Sequence, residues 1–153
     1  MPEKIIVDTS VLIALEKIDL LQILCKIYEE IVLPEAVVKE IGNISITCYS
    51  VRRVESRLIK ILTRDLNLGR GESEVIALAY ETNLKALIDD LKARKIAEDM
   101  GLSISGSIGV LLKAEKLGFI NNAYEKVKEL KDKGFYISDE LLAEISKRKF
   151  KNR

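Results

Sequence analysis

Five short apolar runs, separated by segments of helical periodicity, constrain this chain more than any other feature. Lys4-Ile5-Ile6-Val7, Ile31-Val32-Leu33, Ile59-Lys60-Ile61-Leu62, Lys85-Ala86-Leu87-Ile88 and Leu102-Ser103-Ile104-Ser105 read as strands. They are short and mainly apolar, and Ile5-Ile6-Val7, Ile31-Val32-Leu33 and Ala86-Leu87-Ile88 show no polar alternation, which predicts a parallel sheet covered by helices on both faces. Helices are expected from Ser10, which can cap Val11, Leu12 and Leu15, and then through Leu20, Leu21, Leu24 and Ile27. Further helices are expected from Pro34 to Ile41 and over 72–81, 91–100, 108–117, 123–131 and 139–149. Gly42 can end the Pro34 helix in the left-handed conformation, and Gly101 and Gly118 stand at two other helix ends. Residues 44–58 read as a loop and then a helix from Ser50, and 63–71 as a polar loop. The expectation is one α/β domain over residues 1–153, with a basic tail, 147–153, that frays.

Composition narrows the chemistry. With 153 residues, 48% hydrophobic and 32% charged, the chain can bury a core and is not of disordered composition. Its apolar runs are far shorter than the roughly 20 residues that cross a bilayer. Asp8 also interrupts the first of them before a signal-peptide core could form. A cytoplasmic address without membrane association is therefore expected. Cys25 and Cys48 lack metal-ligand spacing and read as buried packing residues. The chain contains no histidine, which removes Ser-His-Asp and Cys-His nucleophiles, His-ligated zinc and histidine general bases. Chemistry must run on carboxylates, lysines, hydroxyls or a metal held by oxygen. Abundant Lys and Glu, with Gln22 the single glutamine, lean toward a thermophile's composition.

In open parallel sheets the working crevice lies beyond the carboxyl ends of the strands. Asp8 follows Ile5-Ile6-Val7, and Asp89-Asp90 follows Ala86-Leu87-Ile88. Two buried strands ending in acids point to a shared anionic pocket, since such acids need solvent, a partner or a cation. Glu40 ends the helix from Pro34, and Glu72 and Glu74 open the next long helix. Taken singly, Glu40 is a solvated acid, and Glu72 and Glu74 are acids favoured by a helix N-terminus. Brought together, such carboxylates repel, and one takes up a proton unless a cation balances them. Mg²⁺ or Mn²⁺ suits an all-oxygen donor set, and such a site suits phosphodiester hydrolysis.

Four stretches carry a family resemblance. They are Ile5-Ile6-Val7-Asp8-Thr9-Ser10-Val11-Leu12-Ile13; Leu33-Pro34 through Val37-Val38-Lys39-Glu40-Ile41; Gly71-Glu72-Ser73-Glu74-Val75-Ile76-Ala77-Leu78-Ala79; and Leu87-Ile88-Asp89-Asp90-Leu91-Lys92-Ala93-Arg94. In this order and spacing the chain resembles a PIN domain. The segment from Gly101-Leu102 through Ser105-Gly106, Gly109, Leu111-Leu112 and Gly118 resembles a prokaryotic branch of that family. The resemblance implies a three-layer α/β/α sandwich with a central parallel sheet, dependence on Mg²⁺ or Mn²⁺, and endoribonuclease activity on single-stranded RNA. It also implies a homodimer and, because many members are toxins of toxin–antitoxin pairs, an antitoxin protein as partner. Carried over, the metal-holding and catalytic acids fall on Asp8, Glu40, Glu72 and Asp90, with Glu74 and Asp89 as alternates. Ser10 falls on the family's small hydroxyl near the metal, or is only the helix cap. The chain departs from the pattern in having Glu at the third position and no aromatic shortly after the last acid.

Other readings make different demands. A phosphoacceptor receiver domain would carry its acid pair after the first strand, and a haloacid-dehalogenase phosphatase would need Asp-x-Asp there. Asp8-Thr9-Ser10 provides neither. The stronger alternative is a PIN-like module that binds RNA or protein with little or no catalysis. The net charge of +1 requires any nucleic-acid contact to be local. Arg52, Arg53, Arg57, Lys60, Arg64 and Arg70 precede Glu72, and Lys92, Arg94 and Lys95 follow Asp90. Arg70, Lys92 and Arg94 are the cations expected to meet substrate phosphates, the alternative for each being a solvated surface.

Overall fold

Why the apolar runs become central strands is visible in their burial. In a computed structural model that describes residues 3–151, with side chains described to residue 147, Ile5, Ile6 and Val7 are fully buried in β1 (Lys4–Val7). Ile31, Val32 and Leu33 are equally enclosed in β2 (Glu30–Pro34), and Ala86 and Leu87 in β4 (Ala86–Leu87). β3 (Tyr49–Arg52) and β5 (Ile104–Ser105) complete a five-stranded, all-parallel sheet in the order β3-β2-β1-β4-β5. Strands covered on both faces have no solvent side, so they carry no polar alternation.

Helices cover both faces, giving an α/β/α sandwich over one contiguous apolar core. They are α1 (Thr9–Lys17), α2 (Ile23–Ile27), α3 (Glu35–Ile41), α4 (Arg57–Lys60), α5 (Arg70–Thr82), α6 (Leu91–Asp99), α7 (Ser107–Lys116), α8 (Ala123–Asp132) and α9 (Asp139–Lys151). A π-helical turn, Ile61–Asp65, continues α4. β1 pairs with β2 on one side and with β4 on the other, Val7 lying opposite Leu87. The chain thus builds outward from β1 in one direction, returns through α5, and builds outward in the other. Such a reversal opens a crevice at the carboxyl ends of the two central strands.

Several expectations from the sequence need correction. Ile59-Lys60-Ile61-Leu62 is not a strand. Ile59 and Leu62, one helical turn apart, are buried, whereas Ile61 is 49% exposed, a helical rather than a strand pattern. The strand in this part of the chain is β3, within the segment expected to be a loop and a helix. It lies at the sheet edge with Val51 and Arg52 exposed, so it lacks the uniform apolar run of the central strands. The helix expected through Leu20 and Leu21 is confined to Ile23–Ile27. Gly42 has φ +73° but ψ −132°, outside the left-handed helical basin. Cys25 and Cys48 are not free packing residues: they are half-buried and joined in a disulfide between α2 and the residue before β3. The expectation of a frayed tail from Lys147 falls partly outside the described residues, and the backbone is helical to Lys151. Among the described residues, no helix is long and apolar enough to cross a membrane.

Candidate active site

Asp8 occupies the first residue beyond β1, where its amide donates to the Leu87 carbonyl of β4 at 3.0 Å. The same residue is the N-cap of α1 through its backbone, since Val11 and Leu12 donate to its carbonyl. Its side chain makes no capping bond and is left for the crevice. Ser10, expected as the cap, lies inside the first turn, and its hydroxyl donates to Asp8 Oδ2 at 3.3 Å. Asp8 is only 4% exposed. Burial, reinforced by the negative charges of Glu72 and Glu40, pushes its carboxyl up to about 7. The Thr9 amide and the Ser10 hydroxyl oppose that shift. Beside it, Thr9 Oγ1 is buried with no hydrogen-bond partner.

Glu72 reaches the same place from the first turn of α5. One of its oxygens accepts from the Gly69 amide at 3.1 Å, half of a capping box. Burial also raises the Glu72 carboxyl, with the charges of Asp90 and Glu40 adding to it. Asp90 is thus near enough to Glu72 for the two carboxyl groups to influence each other's protonation. Asp90 is the N-cap of α6, its Oδ2 accepting from the Ala93 amide at 2.9 Å. Glu40, exposed in the last turn of α3, folds its carboxyl over Gly71 in α5. A Cβ at Gly71 would overlap Glu40 Oε1 and lie 3.2 Å from Cδ. The fold therefore brings Asp8, Glu40 and Glu72 from three separate elements within electrostatic reach of one another, with Asp90 within reach of Glu72.

The two alternates are engaged elsewhere. Glu74, 5% exposed, accepts from the Ala36 amide at 3.1 Å and pairs with Arg70 at 2.7 Å. It ties α5 to the N-terminus of α3. Asp89 accepts from the amide of Ser107 at 2.8 Å and from its hydroxyl, joining β4 to the start of α7. The cations expected to meet substrate are also partly committed. Arg70 holds Glu74, and Arg94 donates to the Ile88 carbonyl at 3.2 Å. Lys92 is exposed, with only a 3.5 Å contact to the Asn67 carbonyl.

Gly71, Thr9 and Ser107 had no role in the sequence reading. The sequence puts Gly71 at the end of the 63–71 loop; only with α5 starting at Arg70 is it a helical glycine, where alanine would be favoured by up to about 1 kcal/mol. Gly71→Ala is expected to leave the melting temperature unchanged or slightly higher, because only the mobile end of Glu40 has to give way. Any metal-dependent cleavage should drop roughly tenfold as that carboxylate is displaced, a split that melting curves and cleavage rates on the same preparation would test.

The donor set is oxygen throughout, with mutual repulsion as the unmet requirement, and it fits Mg²⁺ or Mn²⁺. Among the described residues no group of three or more acidic side chains is gathered tightly enough to form a ready-made cage. Mg²⁺ needs none, since it keeps several waters and takes one or two protein carboxylates. A comparison with curated proteins finds no match. The family model DUF3368, described as a PIN domain, matches residues 4–150.

Proposed function

Because the chain belongs to the PIN-domain family, whose members are generally nucleases, we propose that it is a Mg²⁺- or Mn²⁺-dependent endoribonuclease hydrolysing phosphodiester bonds of single-stranded RNA. The observation that carries this reading is Asp8: a buried carboxyl, pushed up to about 7, facing two more carboxylates with no cationic side chain among the causes of its shift. A site built for structure alone would pair or omit that charge.

Asp8 and Glu72 would hold the ion, with Glu40 and Asp90 flanking it on the exposed side. When bound, a divalent ion would lower the pKa of a coordinated water and offset charge on the phosphate and the leaving oxygen. The Ser10 hydroxyl keeps Asp8 Oδ2 oriented, and the Gly69 amide does the same for Glu72. Asp90, anchored at the N-cap of α6, stays beside Glu72. Both Glu40 and Asp90 are exposed, which leaves the mouth of the crevice open to a phosphate while Asp8 forms its floor.

The test is cleavage of end-labelled single-stranded RNA with Mn²⁺, before and after EDTA, with duplex RNA as a second substrate. Chelation should lower the rate at least about 100-fold, and renewed Mn²⁺ should restore it. The second reading is a PIN-like binding module with little or no catalysis. RNA retention without metal-dependent cleavage would establish that reading. A toxin role with an antitoxin partner, a homodimer and a cytoplasmic address rest on the family resemblance and composition alone.

A further inference from the structure

We infer that the ridge formed by α4 and the π turn is the track along which the RNA strand reaches the carboxylates. This rests on the nuclease reading for its destination and on the ridge's own chemistry for its ligand. Arg57, Lys60 and Arg64 are spaced three and four residues apart and are all exposed, while Ile59 and Leu62 on the opposite side are 3% and 0% exposed. The three cations therefore form one solvent-facing stripe.

The stripe differs from four other basic side chains near the site, whereas Arg52 and Lys92, like it, form no ion pair among the described residues. Arg53 is paired with Glu55, Arg70 with Glu74, Arg94 with Glu98 and Lys95 with Asp99. Among the described residues, Arg57, Lys60 and Arg64 form no ion pair, although Asp65 adjoins Arg64 in sequence. Their charge is available to an external anion. Two apolar side chains stand in the same stretch, Ile61 at 49% and Leu66 at 39% exposure. Cations for phosphate are the main requirement of a single-stranded nucleic acid, and the aliphatic groups beside them give base faces an apolar surface to lie on.

The ridge also leads to the crevice. Thr63 Oγ1 donates back to the Ile59 carbonyl at 2.9 Å, and the π turn closes as the Leu66 amide donates to Ile61 and the Leu68 amide to Leu62. The next residues, 67–69, connect directly to α5 and Glu72. Lys92, two residues past Asp90, touches the Asn67 carbonyl. A strand lying on Arg57, Lys60 and Arg64 therefore arrives beside the Glu72–Asp90 side of the site. The arginine forks suit phosphate oxygens.

The experiment measures binding of a fluorescein-labelled oligouridylate to the full chain carrying Asp8→Asn, so that affinity is read without cleavage. Reversing the stripe (Arg57→Glu, Lys60→Glu, Arg64→Glu) should weaken binding by about 100-fold. It should also flatten the log–log salt dependence by about 2, since each single-strand phosphate contact contributes about 0.7. The control reverses three exposed lysines, Lys116 of α7, Lys128 of α8 and Lys133 just after it, for the same change in net charge. Equal losses in both variants, or none in either, would overturn the track. So would a stripe reversal that spared RNA but abolished binding of a polyglutamate peptide, which would assign the ridge to an acidic protein. Loss of RNA binding confined to the stripe variant, in a protein that never cleaves, would keep the track and remove the nuclease.

Discussion

Asp8→Asn is expected to make the metal-free protein more stable while removing its cleavage activity. The carboxyl moves from an ordinary 3.8 to about 7 on folding, so its ionised form is disfavoured in the native state by about 4 kcal/mol at most. The sign follows from proton counting. Between those two values the folded chain holds a proton that the unfolded chain has released, so stability falls as pH rises through this window. The favourable contribution is complete below the unfolded value and gone above about 7. Asparagine cannot ionise and retains an acceptor for the Ser10 hydroxyl. At pH 8 without metal it should gain roughly 1–3 kcal/mol, or several degrees in melting temperature, and lose the wild type's decline between pH 4 and 7. Mn²⁺ should then stabilise the wild type, because an ion that binds only the folded state raises its stability, and should leave the variant unmoved. Cleavage by the variant should fall by about 10³-fold or more, the equivalent of the several kcal/mol a divalent ion supplies. A variant less stable than the wild type at pH 8 would refute the account of Asp8.

Glu74→Ala should have the opposite character. Glu74 is 5% exposed and accepts from the Ala36 amide, so its removal strands a donor at the N-terminus of α3. Its partner Arg70 is mostly solvent-exposed and loses little by being released. A loss of about 2–3 kcal/mol is expected, mainly from the orphaned amide. Glu74→Gln, which keeps an acceptor, should cost about half as much. Glu72→Ala in the same turn should be near neutral in the metal-free protein, because that side chain is repelled by Asp90 and Glu40. Thermal melts of the three variants would separate the two glutamates, of which the sequence favoured Glu72 and kept Glu74 as the alternate. Because Glu74 fixes α5 against α3, its loss should also loosen the spacing between Glu72 and Glu40 and weaken metal binding.

The parts of the fold that could be read in the sequence are those where burial is complete. β1, β2 and β4 are uninterrupted apolar runs, and an acid directly after such a run stands at the sheet edge whatever the rest of the chain does. Asp8 and the Asp89-Asp90 pair could therefore be placed from local pattern, which did not separate the two members of the pair. Glu40 and Glu72 could not, because their meeting depends on how α3 lies against α5, and on Gly71 leaving room between them. β3 was missed because an edge strand with exposed Val51 and Arg52 has no pattern distinguishing it from a loop. Ile59–Leu62 was misread because four residues with two buried positions fit either period until the exposure of Ile61 decides between them. The Cys25–Cys48 pairing had no local signature, since it joins segments brought together only when β3 docks beside β2.

β3 is an outer strand of the sheet, and a free strand margin is a template on which a second chain can add itself. Residue 48, immediately before that strand, is covalently fastened to residue 25, so β2 and α3 lie within a closed ring. The margin can fluctuate, but its leading end cannot peel far from the body that shields it. The same tether limits how far α3 can stray with Glu40, linking resistance to misassembly and the integrity of the acidic edge in one bond.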